Sequence, residues 1–297
     1  MARFALRTFQ TFGLMLVVAI LLIGFERVIV DSRALVRSAG VVTSTDGVRI
    51  AYQTSGDGTP ALVFVHGWSC DRTYWRGQLE PFATSFTVIA IDLGGHGESG
   101  IGSREVWTMA AFGDDVAAVV NELALERIIL IGHSMGGDVI VEAARRLPGR
   151  VAGLVWVDTY RQLGTPRTSG QLQAVLAPFR ASFADTTRDF VRGMFPPTAD
   201  PSLVERVAED MSSAPPAVAL GALESALGFD REIPAALAAM KLPVVAINPD
   251  YRPTDVASLE RHGVEVVLMP GVGHFLMMED PERFNALLRS AIDRLGR

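Results

Sequence analysis

An α/β fold, with a mostly parallel central sheet and helices on both faces, is predicted by three observations. Short β-branched apolar runs alternate with segments of helical periodicity, the pattern of parallel strands joined by crossover helices. Several of those runs stop at loops rich in glycine and aspartate, where strands would end at one edge of the sheet. Between Thr159 and Met240 the strand signal disappears for about 80 residues, which reads as an inserted helical cap.

Composition sets the bounds. With 297 residues, 49% hydrophobic and 20% charged, the chain can bury one large core with an insertion. A net charge of −6 argues against nucleic acid as a partner. The single cysteine, Cys70, excludes an internal disulfide and a cysteine-based metal cluster.

The amino terminus differs from the rest. Thr8 to Phe25 is an 18-residue stretch without charge, closed by Glu26 and Arg27. As a helix it would reach about 27 Å, close to the roughly 30 Å hydrocarbon core of a bilayer. Only Ser32-Arg33-Ala34 offers a small-x-small triplet downstream, so an uncleaved membrane anchor is favoured over a cleaved signal peptide. The expected division is therefore an anchor or signal segment at 1–39 and a globular domain at 40–297, with its cap at about 159–240.

Taken in order, Val41–Ser44 and Val48–Tyr52 flank Thr45-Asp46-Gly47 as a hairpin. Ala61–Val65 is a buried strand ending in His66-Gly67-Trp68. Phe86–Ile91 is another, followed by the loop Asp92-Leu-Gly-Gly-His96-Gly-Glu-Ser99. In that loop Asp92 and His96 read as turn stabilisers. A helix is expected from Met109 to Leu123, a strand at Ile128–Ile131, a helix at Val139–Arg146 and a strand at Val151–Val157. Phe179, Phe183, Phe190, Met194 and Phe195 of the cap are candidates to line a pocket. The sheet resumes at Lys241–Ile247 and Val264–Met269, and an amphipathic helix closes the chain from Pro281 to Leu295.

Gly132-His133-Ser134-Met135-Gly136 lies between a predicted strand and a predicted helix, the setting of a nucleophile elbow. A serine hydroxyl is a weak nucleophile at neutral pH and needs a base. Of the five histidines, His274 is best placed, in a glycine-rich loop after the last strand. The base needs a carboxylate to fix its tautomer and stabilise its charged form. Asp250, after the strand before the histidine, is the first candidate; Asp255 is less suited, and Asp158, after the preceding strand, is the rival.

Four ordered segments, Val65-His-Gly-Trp68, Asp92–Ser99, Gly132-His-Ser-Met-Gly-Gly137 and Gly271-Val-Gly-His-Phe275 with Glu279-Asp-Pro-Glu282, resemble the α/β-hydrolase family from about Gly40 to the carboxyl terminus. The resemblance implies the order Ser134, Asp250, His274. It also implies an oxyanion hole made by the backbone N–H groups of Trp68 and Met135. One departure stands out: the family often places Gly-x-x-Asp after the acid-bearing strand, whereas Ile247-Asn-Pro-Asp250 is shorter, with Arg252 near the usual acid position.

These readings predict a serine hydrolase acting on a small-molecule carboxylic ester through an acyl-enzyme, without metal or organic cofactor. A small-ligand receptor that keeps the triad, and a C–C hydrolase or perhydrolase on the same triad, are the alternatives. With residues 8–25 as a membrane anchor, the catalytic domain is expected outside the cytoplasm, or secreted if the segment is cleaved.

Overall fold

The computed structural model describes residues 38–296. The chain begins with a hairpin, β1 (Ser38–Thr43) and β2 (Arg49–Ser55), followed by β3 (Ala61–Val65). A single 3₁₀ turn leads into α1 (Arg76–Ala83), then β4 (Val88–Ile91), α2 (Met109–Glu122), β5 (Ile128–His133), α3 (Met135–Arg146) and β6 (Val151–Val157). Five helices follow without a strand: α4 (Ser169–Ala181), α5 (Phe183–Arg192), α6 (Pro201–Ser212), α7 (Pro216–Phe229) and α8 (Ile233–Met240). The sheet then resumes with β7 (Val244–Pro249), α9 (Val256–Glu260) and β8 (Val264–Met269), and the chain ends in α10 (Leu276–Glu279) and α11 (Pro281–Leu295).

The eight strands form one sheet in the order β1-β2-β4-β3-β5-β6-β7-β8. The β1–β2 and β2–β4 pairings are antiparallel; β4, β3, β5, β6, β7 and β8 pair with one another in parallel. Every residue of β3, β4 and β5 is buried, as expected of central strands with helices on both faces. The α2 and α3 helices pack closely enough that a Cβ on Gly113 would lie 2.6 Å from the Cβ of Glu142.

Local chemistry sets the helix ends. Thr108 caps α2 by accepting from the Ala111 N–H. Thr168 and Gln171 form a reciprocal capping box at α4, which satisfies two otherwise orphaned donors. Asp200 and Asp280 cap α6 and α11, each followed by proline at the first helical position, where a missing N–H costs nothing.

The expected membrane anchor requires correction. Among the described residues no helix is long and apolar enough to cross a membrane. The longest, α11, has 15 residues and would reach only about 22 Å. Residues 8–25, on which the expectation rested, lie outside the described residues. The membrane placement and the extracytoplasmic location inferred from it therefore do not stand.

Asp138, in the first turn of α3, is 5% exposed and accepts a 2.5 Å hydrogen bond from the Tyr160 hydroxyl. Burial pushes its carboxyl up to about 8, against the opposing effect of the Tyr160 bond and with help from Asp230. The folded protein thus keeps a proton that the unfolded chain releases at about pH 4. Stability falls as pH rises between those two values and levels off above about 8. Asp138→Asn keeps the bond to Tyr160 and removes the titration. Thermal unfolding should show the variant more stable than the parent near pH 8, with the gap closing toward about pH 4. A gap that stays constant across that range would mean that Asp138 ionises normally in the fold.

Candidate active site

The site is built where β5 turns into α3. Ser134 occupies φ 52°, ψ −120°, a conformation that costs a non-glycine residue energy and persists only when its surroundings enforce it. Close packing on both sides supplies that enforcement. A Cβ on Gly132 would sit 2.3 Å from the Gly136 carbonyl oxygen, and one on Gly136 would sit 2.5 Å from those of Val65 and His66. The two glycines therefore let the start of α3 lie directly on the ends of β5 and β3. Ser134 itself donates its N–H to the Val157 carbonyl at 2.9 Å, and its half-buried side chain faces a cavity of about 680 Å³.

Gly67 lies beside the elbow, since a Cβ there would be 3.3 Å from the Ser134 Cβ. Trp68 follows at the cavity wall, which Met135, the first residue of α3, also lines. The N–H of a first helical residue has no partner within the helix, and the positive end of the helix dipole lies at that point. Both expected oxyanion residues thus line the same cavity as Ser134. His66 supports this turn from below. Its Nε2 accepts from the Leu93 N–H at 3.1 Å, so its Nδ1 carries the proton and donates to the Gly67 carbonyl at 2.8 Å. Burial lowers its pKa to about 4 and that of His96 to about 3, so both are neutral braces. The 92–99 loop is also held by Asp92, which accepts from the N–H groups of Arg72 and Glu98.

His274, 9% exposed, arrives from the loop after β8. Its N–H donates to the Met194 carbonyl at 2.9 Å. Glu279 holds the same loop by accepting from the N–H groups of Gly273 and Phe275, at 2.9 and 3.2 Å. The His274 Nδ1 lies 2.6 Å from Asp158 Oδ2. An ionised carboxylate only accepts, so Nδ1 carries the proton and Nε2 is left with a free lone pair. His133 packs against the His274 ring at 4.6 Å and contacts the His274 carbonyl through Nε2 at 2.9 Å. Burial, and then the neighbouring His274, drive the His133 pKa well below its ordinary value.

The carboxylate beside His274 is therefore Asp158 and not Asp250. Asp250 is exposed, and its Oδ1 accepts from the Gly271 N–H at 2.8 Å, tying the loops after β7 and β8 together. Asp255 caps α9 through the Ser258 N–H at 2.9 Å. Asp158 comes to His274 through a sharp turn at the end of β6, where it takes φ 45°. Its own N–H donates to the Ile247 carbonyl at 3.0 Å, continuing the β6–β7 pairing. Arg161 donates through Nη2 to both Asp158 oxygens, at 2.8 and 2.9 Å. Sequence reasoning missed Arg161; its place three residues after an aspartate at a strand end was the only available signal.

The helical insertion supplies much of the cavity's apolar wall, with Phe190, Met194, Met211, Leu223 and Leu227 facing in. Of the aromatic residues expected there, Phe179 and Phe183 instead pack edge-on against Trp68, and Phe195 stacks on Phe275 at 5.1 Å. The Trp68 indole N–H donates to the Ala219 carbonyl of α7 at 2.7 Å, so the insertion is tied directly to the loop beside Ser134.

Comparison with known proteins agrees with this architecture. A solved thermophilic esterase from Thermogutta terrifontis superposes with a TM-score of 0.74 at 27% identity, covering 87% of this chain and 99% of that one. The dihydrolipoyllysine-residue acetyltransferase component of the acetoin-cleaving system of Cupriavidus necator is 37% identical over 114 residues, 38% of this chain and 30% of that protein. A bifunctional esterase/perhydrolase of Acinetobacter calcoaceticus is 38% identical over 114 residues, 37% of this chain and 40% of that protein. The chain thus spans less than half the length of these two curated relatives. The family model for the alpha/beta hydrolase fold matches residues 60–223, more than half of the chain and the part that carries the elbow, and the protein belongs to that family.

Proposed function

We propose that this hydrolase cleaves a carboxylic ester through an acyl-enzyme, with Ser134 as nucleophile, His274 as general base and Asp158 as the acid that orients it. The observation that carries the proposal is the 2.6 Å contact between Asp158 and His274 Nδ1, in a cavity that also holds the strained Ser134. With Nδ1 protonated, Nε2 takes the Ser134 proton as Oγ attacks the ester carbonyl. The oxyanion that forms accepts from the N–H groups of Trp68 and Met135, each donor contributing about 3 kcal/mol to such transition states. His274 then returns the proton to the leaving alcohol, and water repeats the sequence to release the acid. The esterase and esterase/perhydrolase relatives support the ester assignment. The apolar wall suits an uncharged acyl or alcohol chain.

Two experiments test this reading. A fluorophosphonate probe should label the protein covalently at Ser134, and p-nitrophenyl esters should be turned over. Ser134→Ala should lose both while its melting temperature stays unchanged, because only Oγ is removed. Wild-type kcat in that variant would remove Ser134 from the mechanism, and probe labelling without turnover would favour a receptor. The second experiment compares the acids. Asp158→Asn should lower kcat by about 10⁴, the loss that the same change produces in a serine protease triad. Asp250→Asn should cost less than about tenfold, through its loop contact alone. The reverse ranking would return the acid to the loop after β7.

A further inference from the structure

Asp158 is not held by His274 alone. Its side chain is 2% exposed, and the Arg161 guanidinium bridges both of its oxygens. Oδ2 thus receives two donors, His274 Nδ1 and Arg161 Nη2. The same guanidinium makes two further contacts. Its Nη1 donates to the Arg252 carbonyl at 2.7 Å, and its Cζ lies 4.6 Å from the centre of the Tyr251 ring. The Arg161 carbonyl in turn accepts from the Asp255 N–H at 2.8 Å. One side chain therefore links the turn after β6, which carries the acid, to the loop after β7.

We propose that Arg161 is a positioning residue for the reaction, resting on the triad reading above. It fixes the Asp158 carboxylate in the orientation that meets His274, and its permanent charge opposes a second positive charge on the imidazole. The physical argument has two parts. A carboxylate on a short side chain at a turn can rotate between orientations, and a guanidinium nitrogen donating to both oxygens, itself anchored through Nη1 on the Arg252 carbonyl, selects one. A guanidinium stays charged at every working pH. Placed behind the carboxylate, it opposes a second positive charge on the imidazole and so favours the unprotonated base.

The other charged and titratable groups facing the pair are His133, Tyr251, Arg252 and Glu279. His133 is kept neutral by burial. Burial, and next the Asp158 charge, push Tyr251 up to about 12. Arg252 is permanently charged and sits 5.4 Å from the Tyr251 ring. Glu279, raised from its ordinary value mainly by burial, faces the backbone N–H groups of the His274 loop.

The test is a double-mutant cycle on the full chain, with ester hydrolysis followed across pH. Arg161→Gln should lower kcat roughly 10- to 100-fold with KM within about twofold. It should also move the acidic limb of kcat/KM to higher pH by about one unit. Arg161→Lys keeps the charge but cannot donate to the carboxylate, reach the Arg252 carbonyl and stack on Tyr251 together. Its acidic limb should stay in place while kcat falls by a smaller factor. In the Asp158→Asn background, Arg161→Gln should cost almost nothing further, because Arg161 acts only through that carboxylate. Equal losses in both backgrounds, an unmoved acidic limb in Arg161→Gln, or a loss confined to KM would each overturn the inference and leave the triad intact. Near wild-type kcat in Asp158→Asn alone would overturn the triad reading and this inference with it.

Discussion

A buried carboxylate must find donors for its oxygens or give up its charge, and Asp158 finds them in His274 and Arg161. The donors come from the loop after β8 and from the turn after β6, and the loop after β7 closes over Arg161. Three neighbouring strand ends are thereby locked around one negative charge, and the arrangement leaves His274 Nε2 free. The orientation of the His274 ring and the shape of that end of the cavity are consequences of the same interaction.

The Ser134 end of the site is fixed by contact between backbones. Ser134 is held in its strained conformation because Gly132, Gly136 and the ends of β3 and β5 fit together without room for a single methyl group. The same approach brings Gly67 against Ser134, so the loop carrying Trp68 and the first turn of α3 meet at the serine. The bond from the Trp68 indole to Ala219 makes the helical insertion part of that structure. A change in the insertion's position would therefore be felt at the loop beside Ser134.

Much of this was legible in the sequence because the signals were local. The apolar runs at 128–131, 151–157 and 264–269 are strands, and α11 spans the expected Pro281–Leu295, since run length and periodicity fix such elements where burial decides them. That Ser134 and His274 would meet at one cavity was readable for a similar reason, as each sits in a short glycine-bounded motif. The carboxylate beside His274 was not. Asp158 and Asp250 both follow parallel strands at the same edge of the sheet, and chain order favoured Asp250. What separates them is reach: a turn with φ 45° at Asp158, and a surface-facing Asp250 taken up by Gly271. Arg252, near the usual acid position, now lends its carbonyl to Arg161. The cap aromatics were half legible. Their apolar character was plain, but which of them reach the cavity depends on how the helices rotate against one another.

The partnership of Asp158 with His274 is tested most directly by the proton they share. Proton NMR of the protein should show a far-downfield signal from His274 Nδ1–H, present in Asp250→Asn and absent from Asp158→Asn. A signal that survives Asp158→Asn and vanishes in Asp250→Asn would contradict the account.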